Sequence, residues 1–296
     1  MKHHYIPRFL LARWAIDEGR LWRVTRPVAE RIATKHVAPA EIGYERNLYA
    51  ARGVAANDAQ MIEQRFMSPL DAQAAEAHRI LLDGGANRMS RLERSAWSRF
   101  VMAQWFRTPA GVRHFKEAYA LALAAPFDGN DDGPEALDGA TVDVVAMLGA
   151  DGVENAALRL LMEFSDDPER GHSMNNMHWR VLETSGRREL LLSDAALQHS
   201  VAGVFTDRGW ITMPIAPDRL FVATFLGELG QVIAELPRPE LVRRNNRAVV
   251  RRASVFVGAS DLTQLPFLER HFGAEDHLTI IGGIADRYRE SAGKLP

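Results

Sequence analysis

The sequence predicts a helix-rich α+β fold, with an N-terminal β-hairpin and a small C-terminal antiparallel sheet. Three features carry that expectation. Apolar residues recur at helical spacing from Ile62 through Phe66, Leu70, Ala74 and Ala77 to Leu81. The stretch Trp97 to Phe106 is apolar nearly all round, which implies a central buried helix. From Glu189 onward the texture changes to short apolar runs bounded by turn residues, the pattern of strands.

Taken in order, Ile6 to Ala15 reads as a short buried helix carrying Phe9, Leu10, Leu11 and Trp14. Leu21 to Val24 and Arg31 to Thr34 form a hairpin around Arg26-Pro27. The helix from Ala59 to Leu82 stops at Gly84-Gly85, and Pro69 should kink it or split it in two. Ser90 with Glu93 three residues later is a capping-box opening for the next helix. That helix runs to Arg107-Thr108-Pro109 and resumes to Ala124. Residues 126–139 are rich in Asp, Gly and Pro and read as a surface loop inserted into a single domain of residues 1–296. Two helices follow, Glu154 to Phe164 and Met174 to Leu182. Glu189 to Asp194, Trp210 to Pro214 and Arg219 to Thr224 are strands, the last two joined by the turn Ile215 to Asp218. A last helix opens after Pro239-Glu240 and reaches Ala253, with Ser254 to Val257 as its end or a short strand and an irregular tail beyond.

Composition narrows the possibilities. A net charge of −2 exerts no global pull on nucleic acid or anionic membrane, so any such binding must come from local patches. The absence of cysteine excludes disulfides, thiolate nucleophiles and cysteine metal sites. No stretch approaches the roughly 20 apolar residues that span a bilayer, and no signal-peptide core is present, so a bacterial-type cytoplasmic protein is expected. P-loop, dinucleotide-binding, zincin and nucleophile-elbow motifs are all missing.

The candidates are polar groups on faces that should point inward. Asn246 shares one helical sector with Val242, Val249, Val250 and Ala253, and a buried amide without partners costs about 1–3 kcal/mol. It therefore either satisfies the core or belongs to a polar pocket under the basic rim of Arg243, Arg244, Arg247 and Arg251. Gln104 and Arg107 lie one turn apart in the apolar helix, where a buried guanidinium requires a carboxylate or a bound anion. Glu63, on the Phe66 and Leu70 face, is one possible partner. Ser193-Asp194 ends a strand, either as a turn cap or as chemistry carried at a strand end. His4 is suited to acid–base work or metal binding by its near-neutral pKa; the alternative is a surface residue, as a lone N-terminal histidine commonly is.

These residues resemble, in order, a family of mainly bacterial proteins catalogued as a domain of unknown function, whose members begin His-Tyr-Val-Pro-Gln-x-x-Leu. The likeness starts at His4-Tyr5-Ile6-Pro7 with Leu11 and passes through the Leu21 to Ile32 hairpin and Glu45-Arg46-Asn47-Leu48-Tyr49. It continues with Glu63, with Gln104 and Arg107-Thr108-Pro109, with Leu192-Ser193-Asp194, with Pro214 to Pro217 and with Asn246-Arg247. Two departures stand out. Arg8 replaces a glutamine, and Ala195-Ala196 replaces an Asn-Pro that would set a tight turn. The resemblance implies that the polar residues converge and brings no established activity.

The functional expectation is a hydrolase, most plausibly a nuclease or phosphodiesterase acting on RNA or DNA. In it His4 handles protons, Glu63 and Asp194 act as base or as ligands of a possible divalent metal, and Arg107 with Gln104 clamps the phosphate. Asn246 orients one of these groups, and Arg8, Arg243, Arg247 and Arg251 guide the substrate. The alternative is a non-catalytic module binding an anionic ligand or a protein partner in a bacterial conflict system.

Overall fold

The computed structural model of the protein describes residues 1–28, 31–124, 144–201 and 203–275. It is α+β, as the periodicities require. The insertion expected at residues 126–139 lies outside the described residues.

The N-terminal part comprises β1 (Lys2–His4), one helical turn α1 (Arg8–Leu11), the hairpin β2 (Leu21–Val28) and β3 (Arg31–Val37), and β4 (Tyr44–Arg46), which pairs antiparallel with β1. The helix expected over Ile6 to Ala15 is cut to α1 because the chain tightens after Ala12. The amides of Arg13 and Trp14 bond only three residues back. The strands of the hairpin extend past Arg26-Pro27, and their register shifts between Thr25 and Val28, so the proline sits at a bulge where no amide is needed.

Pro69 has a specific consequence. After α2 (Ala56–Ala59) the chain makes a π-turn (Glu63–Met67) in which the Ser68 amide bonds back to the Glu63 carbonyl, and α3 (Ser68–Gly84) begins with the proline in its first turn. The helix that Pro69 was expected to kink or split instead follows one helical path from Met61 to Gly84, with the π-turn taking up the proline. Next come α4 (Arg91–Gln104), opened by the expected Ser90–Glu93 capping box, then α5 (Pro109–Ala124), α6 (Val144–Ser165) and α7 (Pro168–Asn176).

Beyond α7 the expectation of a helix over Met174 to Leu182 fails. His178–Glu183 is strand β5, in register with Thr224 to Arg219. Trp179 packs into the main core and Leu182, on the opposite face of the strand, into a smaller cluster with Leu220 and Leu241, a placement that no helical periodicity encodes. β6 (Leu192–Ser193) is shorter than the expected strand, and β7 (Gln198–His199) follows. The hairpin β8 (Trp210–Ala216) and β9 (Arg219–Thr224) forms as predicted. Then come α8 (Gly227–Glu235), α9 (Arg238–Arg251), β10 (Val257–Ala259) and α10 (Leu265–His271), so the tail read as irregular contains a helix.

One four-stranded sheet has the order β5-β9-β8-β7. The other, β3-β2-β10-β6, threads the late strand β10 between the early hairpin and β6. The two ends of the described chain therefore share a sheet, and the Trp14 indole reinforces this by donating to the Leu190 carbonyl at 2.8 Å. The main core draws on the same spread of sequence, from Tyr5, Trp14 and Tyr49 through Trp97 and Phe100 to Phe221 and Phe256.

The polar residue on the inner face of α9 locks that helix to the sheet. Asn246 Oδ1 accepts from the Leu191 amide at 3.0 Å, and its Nδ2 donates to the Glu189 carbonyl at 2.8 Å and to Gln264 Oε1 at 3.1 Å. Replacing Asn246 by Ala strands the buried Leu191 amide and should lower stability by about 2–3 kcal/mol in denaturant unfolding. A loss below 0.5 kcal/mol would show that the clamp is dispensable.

Candidate functional site

The α4–α5 elbow carries the most strongly constrained charge in the molecule. Trp105 and Phe106 turn the chain out of α4, and the Thr108 hydroxyl caps α5 by accepting from the Gly111 amide at 3.1 Å. Between them lies Arg107, with no exposed surface. Its two terminal nitrogens meet Asp71 of α3 at 2.6 and 2.9 Å, and Nη2 also donates to the His4 carbonyl at 2.6 Å. The Tyr49 hydroxyl donates to the Arg107 carbonyl at 2.5 Å. The partner is thus Asp71 rather than Glu63. The π-turn sets Glu63 ahead of the regular helix, and the acid of the first turn of α3 reaches the fork.

Glu63 nevertheless stays close enough to feel this pair. It is 8% exposed, its Oε1 accepts from the Ser68 hydroxyl at 3.3 Å, and its Oε2 is buried without a partner. Burial pushes its pKa up. Arg107 opposes that shift, and the Asp71 charge adds to it.

The two N-terminal histidines divide by strand alternation. His3 is fully buried. Its Nδ1 accepts from the Tyr49 amide at 3.0 Å, and Nε2 lies 2.6 Å from Gln60 Oε1, so the proton sits on Nε2. His4 is half-buried against Tyr44, and its Nε2 is enclosed without a partner. Burial first, then the charges of Arg8, Lys2 and Arg107, bring its pKa down to about 4. Gly43 holds this strand end in place. Its φ of +69° and the contact its missing Cβ would make at 3.1 Å with Ile6 leave no room for a side chain, and its carbonyl accepts from the Tyr5 and Ile6 amides.

Gln104 and Asp194 meet in a second place. A cleft of about 30 Å³ is lined by Gln104, Trp105 and Thr108 from the elbow, by the stretch Asp194 to His199, and by Arg252. That is space for about one water molecule. Asp194 spends its oxygens on backbone. They accept from the amides of Ser254, Val255 and Phe256, and from the Ser254 hydroxyl at 2.6 Å. This is the cap reading of Ser193-Asp194, applied to the chain leaving α9. The turn expected to suffer from Ala195-Ala196 forms anyway, because Ser193 Oγ accepts from the Ala195 amide and its carbonyl from the Ala196 amide. Gln104 Nε2 and Trp105 Nε1 are buried without acceptors.

Gln198, His199 and Arg252 were invisible to sequence reasoning. A two-residue strand has no periodicity, and Arg252 looked like one more surface arginine. Gln198 bridges the Ala195 carbonyl and the Arg252 guanidinium, and burial pushes His199 down.

Arg107 thus bonds the His4 backbone and its charge acts on the His4 and Glu63 side chains separately, Gln104 and Asp194 line one cleft, and Asn246 sits in the clamp that fixes β6. Arg8 is exposed. Arg243 and Arg244 share Glu240, Arg251 pairs with Glu275 at 2.6 Å, and Arg247 is exposed. Among the described residues no three His, Asp or Glu side chains are placed to hold a metal ion.

Two measurements test these environments. Asp71→Ala leaves the Arg107 charge buried and unpaired, and should cost about 3–5 kcal/mol. A loss no larger than a surface substitution would refute the pairing. Glu189 is held beside the Ser260 amide at 2.7 Å, and burial pushes its pKa up to about 7. A carboxyl raised in the folded state binds protons more tightly there. Its contribution is present below its ordinary value and is lost as pH rises to about 7. Glu189→Gln should remove that component, so the variant gains in melting temperature over the parent at pH 8 but not at pH 5; parallel pH profiles would refute it.

No curated protein and no solved structure gives a significant match to the chain. A family model does match, over residues 2–262 and hence nearly every element described above. The chain belongs to the family described as "protein of unknown function (DUF4238)".

Proposed function

We propose that the chain is a hydrolase of phosphodiester bonds, with His4 and Glu63 as its proton-handling pair. The observation that carries this reading is two buried atoms without protein partners, His4 Nε2 and Glu63 Oε2, on residues that each feel the Arg107 charge. Folded proteins rarely leave such atoms unsatisfied, and reactive sites are one place where they do. Burial shifts both groups toward their neutral forms, so at neutral pH the histidine is ready to accept a proton and the carboxyl is biased toward keeping one. His4 takes a proton from water as the water oxygen bonds to phosphorus. The bond from phosphorus to the leaving oxygen breaks, and that oxygen takes the Glu63 proton. Products are a phosphate monoester and an alcohol.

Arg107 acts as a positioning residue, because every nitrogen it could offer a substrate is either bonded or enclosed. Asp194 and Asn246, both engaged with backbone, hold the scaffold. The family resemblance in sequence order supports the convergence of His4, Glu63 and Arg107, and the exposed arginines of α9 support an anionic substrate.

The test is cleavage of labelled RNA and DNA by the purified chain, with Mg²⁺, with Mn²⁺ and with chelator. Cleavage is expected, with Glu63→Gln and His4→Asn each slowing it by about 10²–10⁴-fold at unchanged melting temperature. The rate should fall as pH drops through about 4, where His4 becomes charged, and again at higher pH as Glu63 loses its proton. Intact substrates under all conditions, or variants as fast as the parent, would refute the proposal.

A further inference from the structure

α9 and α10 together present a basic face that the sequence revealed only in part. Arg243 and Arg247 repeat at one-turn spacing on α9, about 6 Å apart along its axis. Arg244 sits beside them, and Arg243 and Arg244 are more than half exposed. α10 packs against α9 and adds Arg270, exposed, and His271, whose ring lies over Phe267 at 4.8 Å. The Arg26 guanidinium of β2 fixes α10 by donating to the Glu269 carbonyl and lying over the Phe272 ring. Acids are few here. Glu240 serves both Arg243 and Arg244, and Glu275 serves Arg251 and, more distantly, Arg252. Among the described residues neither Arg247 nor Arg270 is in an ion pair. That their fields converge shows in His271, which is pushed down by burial and then by Arg251, Arg247 and Arg270.

We infer that this face of α9 and α10 binds the phosphate backbone of a nucleic acid strand, with Arg247 and Arg270 as its central contacts. The chain as a whole carries a net charge of −2, so the face is a local concentration rather than a sample of a basic protein. Spaced guanidiniums on a rigid helix suit a repeating row of phosphates. An anionic membrane is the poorer fit. The apolar side of α9, Leu241, Val242, Val249 and Val250, is buried in the core and has nothing to insert into lipid. The inference names the substrate class of the proposed hydrolase, yet it rests on different residues and is tested separately.

The experiment is fluorescence anisotropy with labelled single-stranded RNA, single-stranded DNA and duplex DNA of about 20 nucleotides. The full chain is used in chelator, at several salt concentrations, and probe integrity is checked on a gel. Binding should weaken steeply with salt. Arg247→Glu combined with Arg270→Glu should weaken it at least 10-fold at unchanged melting temperature, and lower the log–log salt slope by about 1.5. Three results would overturn the inference: no binding at low salt, the same affinity and slope in the double variant, or binding confined to phosphatidylserine vesicles. Binding without cleavage would leave this face intact and remove the hydrolase; cleavage with unaltered binding in the double variant would do the reverse.

Discussion

A guanidinium sealed from solvent governs how the N-terminal half is assembled. Arg107 reaches Asp71 through two bonds and the His4 carbonyl through a third, while its own carbonyl receives the Tyr49 hydroxyl. Three segments distant in sequence, β1, the loop after β4 and α3, are thereby fixed to one residue of the α4–α5 elbow. A lysine could not replace it, since only a planar fork meets a carboxylate along two parallel bonds and still has a donor for a carbonyl. Burying such an ion is costly, and the pairing offsets that cost only while every partner stays in place.

The C-terminal half uses polar side chains differently. Where the chain between Glu189 and Ala196, and again after α9, leaves regular structure, its buried amides need acceptors. Asn246 serves Leu191, and Asp194 serves Ser254, Val255 and Phe256. Ser193 Oγ joins the set by donating to the Val249 carbonyl at 3.0 Å. These clamps sew the short strand β6 onto α9 and the sheet that also holds the N-terminal hairpin. Residues whose chemistry suggested catalysis are here engaged by the backbone. Of those with atoms still unengaged, His4 and Glu63 lie elsewhere and Gln104 lines the cleft with Asp194.

Much of this was legible in the residues, and the rest was not for identifiable reasons. The opening of α4 was readable because Ser90 and Glu93 satisfy each other locally, and the β8–β9 hairpin because its turn is local too. The strand β5 was read as helix, since only its pairing with β9 decides the matter. Arg107 could be recognised as a buried charge needing a partner, because its neighbours are apolar all round. Its partner was misassigned, because Asp71 looks like an ordinary first-turn acid and the π-turn that displaces Glu63 leaves no simple periodic trace. The burial of His3 was not legible, because a strand of three residues is too short to show which side faces inward. The basic rim of α9 was visible as a row, whereas its completion by Arg270 and His271 depends on α10 packing beside it.

The Arg107–Asp71 pair also explains how Glu63 can lie near a full positive charge and still tend toward neutrality, whereas the same charge pushes His4 in the direction that burial does. A lone guanidinium would drive a neighbouring carboxyl to ionise. With Asp71 bound in bidentate geometry the fork presents little net charge, so desolvation is left as the largest influence on both groups. It raises the acid and lowers the base. Removing Asp71 would do more than loosen the fold: it would expose Glu63 to an uncompensated cation and shift its carboxyl toward ionisation. The ion pair that fastens β1 to the helices therefore also bears on the protonation of Glu63, so stability and the state of that carboxyl are linked through one side chain.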